Sequence, residues 1–235
     1  MKTKRVKTLA TGIFLLCQTL SGAAVAASVT LTGNTVDFTF DEAMLGLFGQ
    51  ASLAGDSLYF TPDNFKAQSL NGGGYALTPA TMNIRVSAHS GWAFNDVSLL
   101  EKGDYLLLGS GSEAAVTGQM RVFDTARPLT DLTAGIVTGA PLDQMGMTTH
   151  NWTSQTAIDL SSWGSAQSIN VTVENLLLAS TQSPYSVAFV EKKFAALTPG
   201  LRAVTPVPEA ETYAMMLAGL GLVGLMVRRR RTTLS

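Results

Sequence analysis

The stretch SVTLTGNTVDFTF, residues 28–40, carries the pattern from which the fold can be read. Apolar residues alternate with polar ones on both sides of the dipeptide Gly-Asn: Val29 and Leu31 before Gly33-Asn34, then Val36, Phe38 and Phe40 after it. A period of two predicts strands with one buried face, and Gly-Asn between two such runs is typical of a tight turn. The sequence therefore predicts a β-hairpin at 28–40.

Further strand-like runs follow along the chain, separated by segments rich in turn residues. The runs are 58–60, 82–88, 105–108, 120–122, 169–173 and 185–189, and the turn segments are 71–74, 109–112 and 138–141. Helical periodicity is weak, and residues 41–50 form the one short candidate helix. Many short strands with Gly-rich turns predict an all-β fold, an antiparallel β-sandwich of jelly-roll or immunoglobulin-like type.

The N-terminus has the three parts of a secretory signal peptide. A basic segment is followed by the mostly apolar residues 9–20 and then by Ala24-Val25-Ala26. Small residues at this spacing fit cleavage by signal peptidase, after Ala26 or after Ala27. We therefore predict a signal peptide at 1–27 and an exported mature chain.

The C-terminus predicts a membrane segment. Residues 213–227 contain no charged side chain, and Arg228, Arg229, Arg230 and Arg231 follow directly. An apolar segment partitions into the bilayer, whereas arginines resist translocation and stay cytoplasmic. This predicts a single transmembrane helix at 213–227, a cytoplasmic tail at 232–235 and the preceding domain outside. The segment is short for a hydrocarbon core of about 30 Å, which suits an anchor meant for removal.

The run VPEAETYAMMLAGLGLVGLMVRRRR, residues 207–231, resembles the PEP-CTERM sorting domain of Gram-negative bacteria. Its namesake motif falls on Pro208, Glu209 and Ala210, with alanine where proline is commoner. The resemblance implies recognition by an exosortase, a membrane transpeptidase-like enzyme, near Pro208-Glu209. It also implies a host that makes extracellular polysaccharide, and a final site at or beyond the cell surface.

Between these ends we predict a β domain at 28–197 and a linker at 198–206. The composition of this part of the chain limits the functions that it can have. Residues 28–204 hold 8 basic and 15 acidic side chains, a net charge of -7 that argues against nucleic acid as a partner. The one cysteine, Cys17, lies in the signal peptide. The mature domain therefore has no disulfide, no cysteine nucleophile and no cysteine ligand for a metal.

Candidate side chains for chemistry are few. His89 follows a predicted strand, and His150 lies in a polar segment predicted as a loop. Three interpretations stay open for each histidine: a metal ligand, a general base or a surface residue. Three acidic residues lie near one predicted turn: Asp96, Glu101 and Asp104. Their carboxylates would either bind calcium or simply be solvated.

Aromatic side chains offer a second kind of candidate site. Trp92 and Trp152 would contact a polysaccharide if their rings are exposed for stacking. The alternative is that these tryptophans, and Trp163 with them, fill the core.

We predict no catalytic residue, no cofactor and no metal. The functional expectation is a non-enzymatic protein of the cell surface or extracellular matrix, exosortase-processed and structural or polysaccharide-associated, as in a biofilm. The alternative is a secreted hydrolase of polysaccharide or ester substrates, whose active site assembles from dispersed residues.

Overall fold

Strands make up most of the computed structural model, which describes residues 28–204 and 214–223. The strands are β1 (Ser28–Thr32), β2 (Val36–Asp41), β3 (Gln50–Ala54), β4 (Ser57–Thr61), β5 (Lys66–Leu70), β6 (Gly74–Ala88), β7 (Trp92–Leu108), β8 (Ser112–Asp124), β9 (Arg127–Val137), β10 (His150–Asp159), β11 (Ser168–Thr181) and β12 (Val187–Ala203). Short 3₁₀ helices occupy Glu42–Met44, Gly46–Phe48 and Ser161–Trp163. Residues 214–223 are α-helical.

The strands form two antiparallel sheets. Sheet I has the order β1-β2-β6-β11-β8-β9. Sheet II has the order β10-β7-β12-β4-β3, with β5 pairing β12 beside β4. The inner faces of both sheets contribute to one hydrophobic core. The predicted all-β antiparallel sandwich is confirmed.

The predicted hairpin is β1 and β2, joined through Gly33-Asn34 and paired from Ser28 opposite Asp41 to Thr32 opposite Asp37. Val36, Phe38 and Phe40 point inward and are buried. Full burial of an apolar side chain of this size contributes about 1.5–3 kcal/mol. The alternation in the sequence thus places β2 with its apolar face on the core.

The predicted short helix at 41–50 is instead two successive 3₁₀ turns. Asp41 caps the first, since its side chain accepts a hydrogen bond from the backbone N–H of Ala43 at 2.9 Å. The second turn carries Phe48 into the core, where its ring meets Phe60 and Phe65 edge-on at centroid distances of 6.2 and 5.5 Å. Packing of one aromatic side chain, not helical periodicity, therefore sets the conformation here.

The predicted linker at 198–206 is wrong for its first part, because β12 continues to Ala203. Thr198 pairs with Ser98 and Ala203 with Trp92, both on β7. Pro199 and Gly200 suggested a linker. However, β4 pairs with β12 only from Ala195 to Leu197. At Pro199 the edge of β12 that faces away from β7 therefore has no partner strand, and the missing N–H of proline costs no hydrogen bond there. Gly200 adjoins a bulge in the ladder. Proline and glycine are tolerated in strands at such places.

The C-terminal helix at 214–223 falls inside the predicted transmembrane segment 213–227. Within residues 28–204 and 214–223, no helix has the length and apolar character needed to cross a bilayer. The remaining residues of the predicted segment lie outside the described part of the chain.

Candidate functional site

The outer face of sheet I forms an open groove of about 750 Å³. Its floor is a row of side chains that the strand register places side by side: Thr39 on β2, Arg85 on β6, Asn170 on β11 and Phe123 on β8. These positions alternate with inward apolar residues, so the same period of two that builds the core aims this row at solvent. We call this surface the sheet I groove.

A second row continues the groove along the strands. Asn83 on β6 and Thr172 on β11 are register partners, and the Thr172 hydroxyl donates to Oδ1 of Asn83 at 2.6 Å. Arg121 follows on β8, where its guanidinium lies 4.5 Å from the centre of the Phe123 ring and Nε donates to Asp131 at 2.8 Å. Neighbouring side chains thus hold one another in place across the sheet.

Apolar residues stand on both sides of this floor, which is polar except for Phe123. Met44, in the first 3₁₀ helix, and Pro128, at the start of β9, line the groove, and the Met44 side chain is exposed. Amide and guanidinium groups on the floor can donate and accept hydrogen bonds, while the walls can cover apolar surface. The arrangement fits an elongated polyhydroxylated ligand.

A second polar cluster lies in the core between the sheets. Glu101 on β7, Asn175 on β11 and Lys192 on β12 are almost completely buried. Nζ of Lys192 lies 2.6 Å from Oε1 of Glu101. Nδ2 of Asn175 donates to the other oxygen, Oε2, at 3.2 Å. We call these three residues the core triad.

Two glycines are the register partners of core-triad residues, and neither has room for a side chain. Gly118 is the register partner of Asn175, and a side chain there would overlap the backbone of Glu174 and approach the Asn175 amide. Gly103 is the partner of Lys192, and a side chain there would overlap the backbone of Glu191 and the Trp152 ring.

The strand β12 has a bulge at Lys193, directly after Lys192 of the core triad. The register of β12 against β7 shifts between Lys192 and Phe194. Lys192 faces the core and Lys193 the outside, as neighbours in a strand do, and the exposed Lys193 donates to Asp104 at 2.6 Å. The bulge shifts the alternation by one residue, so that the next buried side chain after Lys192 is Ala195 and not Phe194.

Aromatic rings surround the Lys192 amine. Nζ lies 5.3 Å from the centre of the Phe48 ring and 5.0 Å from that of Phe65. Burial lowers the pKa of Lys192 to about 8, although the neighbouring Glu101 carboxylate acts in the opposite direction. An amine in such a place is more easily deprotonated than a surface lysine.

The predicted turn around the three acidic residues is wrong, because Asp96, Glu101 and Asp104 all lie on β7. Glu101 points inward to the core triad and Asp104 pairs with Lys193. No group of three or more possible metal-binding side chains occurs among residues 28–204 and 214–223.

Sequence reasoning did not single out the core triad, yet a signal for it exists. Each residue of the core triad comes two positions after a buried apolar residue of the same strand, and so points to the same inner face. Glu101 follows Val97 and Leu99, Asn175 follows Val171 and Val173, and Lys192 follows Ala188 and Val190. A polar residue that falls at the next inward-facing position of a strand, after two buried apolar residues, is the pattern that would have indicated this cluster.

The two histidines lie at opposite ends of the sandwich. His89 follows β6, as predicted, next to the start of β7 at Trp92. His150 is the first residue of β10, not part of a loop, and pairs with Tyr105. Trp92 and Tyr105 are roughly 40 Å apart along β7 at about 3.3 Å per residue. The structure therefore does not bring the histidines into one site.

His89 forms a surface ion pair with Asp37. Nε2 lies 3.1 Å from Oδ1 of Asp37, and this hydrogen bond raises the pKa of His89 above its ordinary value. We expect NMR titration of the ring to show the raised pKa, and Asp37→Asn to lower it. The pair stabilises the fold below the pKa of unfolded histidine, and that contribution disappears as pH rises through the folded pKa. Asp131→Asn is the control, since Asp131 pairs with Arg121; an unchanged titration in Asp37→Asn would contradict the assignment.

The tryptophans differ in exposure. Trp152 is 3% exposed and its indole N–H donates to the carbonyl of Glu191 at 3.1 Å. Trp163 is also buried, whereas Trp92 is half-buried at the start of β7. Trp152 therefore offers no ring face to a sugar, contrary to the stacking interpretation. Of the three tryptophans, Trp92 alone keeps a partly accessible ring.

The sorting-signal and cleavage residues lie outside the described part of the chain. These are Ala26 and Ala27 at the predicted signal cleavage, Pro208, Glu209 and Ala210 at the sorting motif, and Arg228, Arg229, Arg230 and Arg231 at the membrane stop.

Similar solved structures have low sequence identity and low TM-scores. The structure of infectious bursal disease virus Gx strain is 13% identical, with a TM-score of 0.30 over 72% of this chain, which spans 48% of the viral chain. The xylan-binding module CBM15 is 10% identical, with a TM-score of 0.24 over 74% of this chain and 97% of the module. A carbohydrate binding module of family 29 is 12% identical, with a TM-score of 0.20 over 73% and 88%. No curated protein matches the sequence.

The family model of the PEP-CTERM protein-sorting motif matches residues 206–231. This agrees with the resemblance read from the Pro-Glu-Ala sequence, the uncharged segment and the four arginines. The chain thus carries a PEP-CTERM protein-sorting motif, the mark of an exported protein targeted by an exosortase to the cell surface.

Proposed function

We propose that this protein is a non-enzymatic component of the cell surface or extracellular matrix that binds polysaccharide in the sheet I groove. The observation that supports this most directly is the groove itself, in which a floor of three polar side chains and the Phe123 ring lies between apolar residues on an exposed sheet. Binding rather than turnover fits the separation of His89 and His150.

The chemistry of the groove favours an uncharged polysaccharide. Sugar hydroxyls both donate and accept hydrogen bonds, which suits the side chains of Asn83, Asn170 and Thr172. The domain is acidic, with 8 basic against 15 acidic side chains in residues 28–204, so a polyanion would be repelled overall. Binding to a neutral chain would depend little on salt.

We further propose the route to the surface. Signal peptidase removes residues 1–27, and the segment 213–227 holds the chain transiently in the inner membrane with Arg228–Arg231 in the cytoplasm. An exosortase then processes the chain near Pro208-Glu209. The supporting observations are the matched sorting motif and the charge distribution at both ends.

Replacing Asn170 by alanine is expected to weaken polysaccharide binding about tenfold, because one or two hydrogen bonds of about 1 kcal/mol each are lost. The measurement is isothermal titration with neutral polysaccharide purified from the host matrix. Asn151→Ala is the matched control, an exposed asparagine on β10 of the other sheet. Equal affinity of the two variants would place binding elsewhere.

The same preparation tests for the hydrolase alternative. We expect no release of reducing ends from the polysaccharide. Turnover that disappears when His89 or His150 is replaced would overturn the non-enzymatic assignment.

A further inference from the structure

The core triad places an amine, a carboxylate and a carboxamide together away from water. Glu101 bridges the other two, since its Oε1 lies 2.6 Å from Nζ of Lys192 and its Oε2 accepts from Nδ2 of Asn175 at 3.2 Å. Oδ1 of Asn175 has no hydrogen-bond partner among the described residues. The carboxamide is thus held on its nitrogen side and free on its carbonyl side.

Stability alone does not account for this arrangement. A buried ion pair is often no better than apolar side chains of the same size, because desolvation offsets the attraction. Lys192 and Glu101 are both fully buried, in a core otherwise rich in phenylalanine. Conversion of the amine to an uncharged amide would remove the buried positive charge.

We propose that the core triad is a self-cross-linking site, at which Nζ of Lys192 forms an amide bond with Cγ of Asn175 and Glu101 transfers the proton. The bond would join β12 of sheet II to β11 of sheet I. It is a modification that occurs once per molecule and needs no added reactant.

The reaction balances within these three side chains. Glu101 takes a proton from the Lys192 ammonium, which leaves a neutral amine and a carboxylic acid. The amine turns from Oε1 and attacks Cγ of Asn175, so the carbonyl bond opens to a tetrahedral intermediate. Glu101 gives its proton to Nδ2, which it contacts, and as a carboxylate it takes the second proton from the nitrogen of Lys192, so that it ends as a carboxylic acid. The bond from Cγ to Nδ2 then breaks. Ammonia leaves and the carbonyl re-forms.

The surroundings favour each requirement of this step. Phe48 and Phe65 exclude water from the amine, and the lowered pKa of Lys192 makes its neutral form accessible. Gly118 leaves room beside the Asn175 amide. One carboxylate contacts both reacting groups, which removes most of the cost of bringing them together.

Peptide mapping of the full chain, isolated from its host, tests the proposal. A protease that cleaves after glutamate cuts after Glu174 and Glu191, and so separates residues 175–191 from the peptide that begins at Lys192. We expect mass spectrometry to find these two peptides joined, lighter than their sum by one ammonia molecule. Two separate peptides of unmodified mass from folded wild-type protein would overturn the proposal.

Variants assign the roles. Lys192→Arg and Asn175→Ala are expected to abolish the joined species, and Glu101→Gln to abolish or greatly slow it. Lys193→Arg is the matched control, since the adjacent lysine is exposed and should leave the cross-link intact. Circular dichroism checks folding of each variant. Full cross-linking in folded Glu101→Gln would overturn the role of Glu101 in proton transfer.

Discussion

In a host strain that lacks its exosortase, the protein is expected to stay in the inner-membrane fraction with Arg228–Arg231 still attached. In the wild-type strain the surface or released form should end near Pro208-Glu209. The effect is all-or-none, because one recognition step decides whether the C-terminal segment is removed. An epitope tag after Ser28 allows fractions to be compared, and mass spectrometry of the C-terminus identifies the end of the chain in each.

A second variant separates the enzyme from the motif. Replacing Pro208 and Glu209 by alanine should keep the protein in the inner-membrane fraction even in a strain that has the exosortase, as in the strain that lacks the enzyme. Persistence of the four arginines in the surface form of both strains would instead mean a plain anchor, and the proposed route would fail.

Gly103→Ala is expected to lower the free energy of unfolding by about 3 kcal/mol, among the larger effects of adding a single methyl group. A Cβ at this position would overlap the carbonyl oxygen of Glu191 and lie 2.7 Å from the Trp152 ring. Both neighbours are fixed, one by the β12 ladder and the other by its hydrogen bond to that same carbonyl. Urea unfolding followed by tryptophan fluorescence measures the loss.

Gly135→Ala is the control for this prediction. Gly135 is an exposed residue of β9, and a Cβ there would meet nothing within 4 Å. Its replacement should change stability little or raise it slightly, because alanine restricts the unfolded chain more than glycine does. If both variants lost a similar amount of unfolding free energy, the close packing around Gly103 would not be the cause of the destabilisation.

The fold class was predictable because β2 and the second half of β6 alternate, which buries Val36, Phe38 and Phe40 on one strand and Met82, Ile84 and Val86 on the other. β10 was missed for a physical reason. Its inward positions include Ser154 and Thr156, whose hydroxyls donate to the carbonyls of Val137 and Gly135 on β9 at 2.6 and 2.9 Å. Hydroxyl groups that reach the neighbouring edge strand are polar in the sequence although buried in the structure.

The candidate sites were less predictable than the fold. The sheet I groove depends on which strands become neighbours, and β2, β6, β11 and β8 are adjacent only in the sheet order. Sequence reasoning favoured tryptophan as the contact for sugars, whereas size and apolarity place Trp152 in the core. Glu101 was noticed as an acidic residue, but its partners come from strands far along the chain.

The position of β12 has a mechanical consequence. The chain leaves the domain at the end of this strand, where Ala203 pairs with Trp92. Tension from the C-terminal side would therefore peel β12 from β7 one ladder pair at a time, beginning at that end. A covalent link at Lys192 would stop the peeling there, so that only residues 193–203 could extend before the force passed to β11 and the opposite sheet.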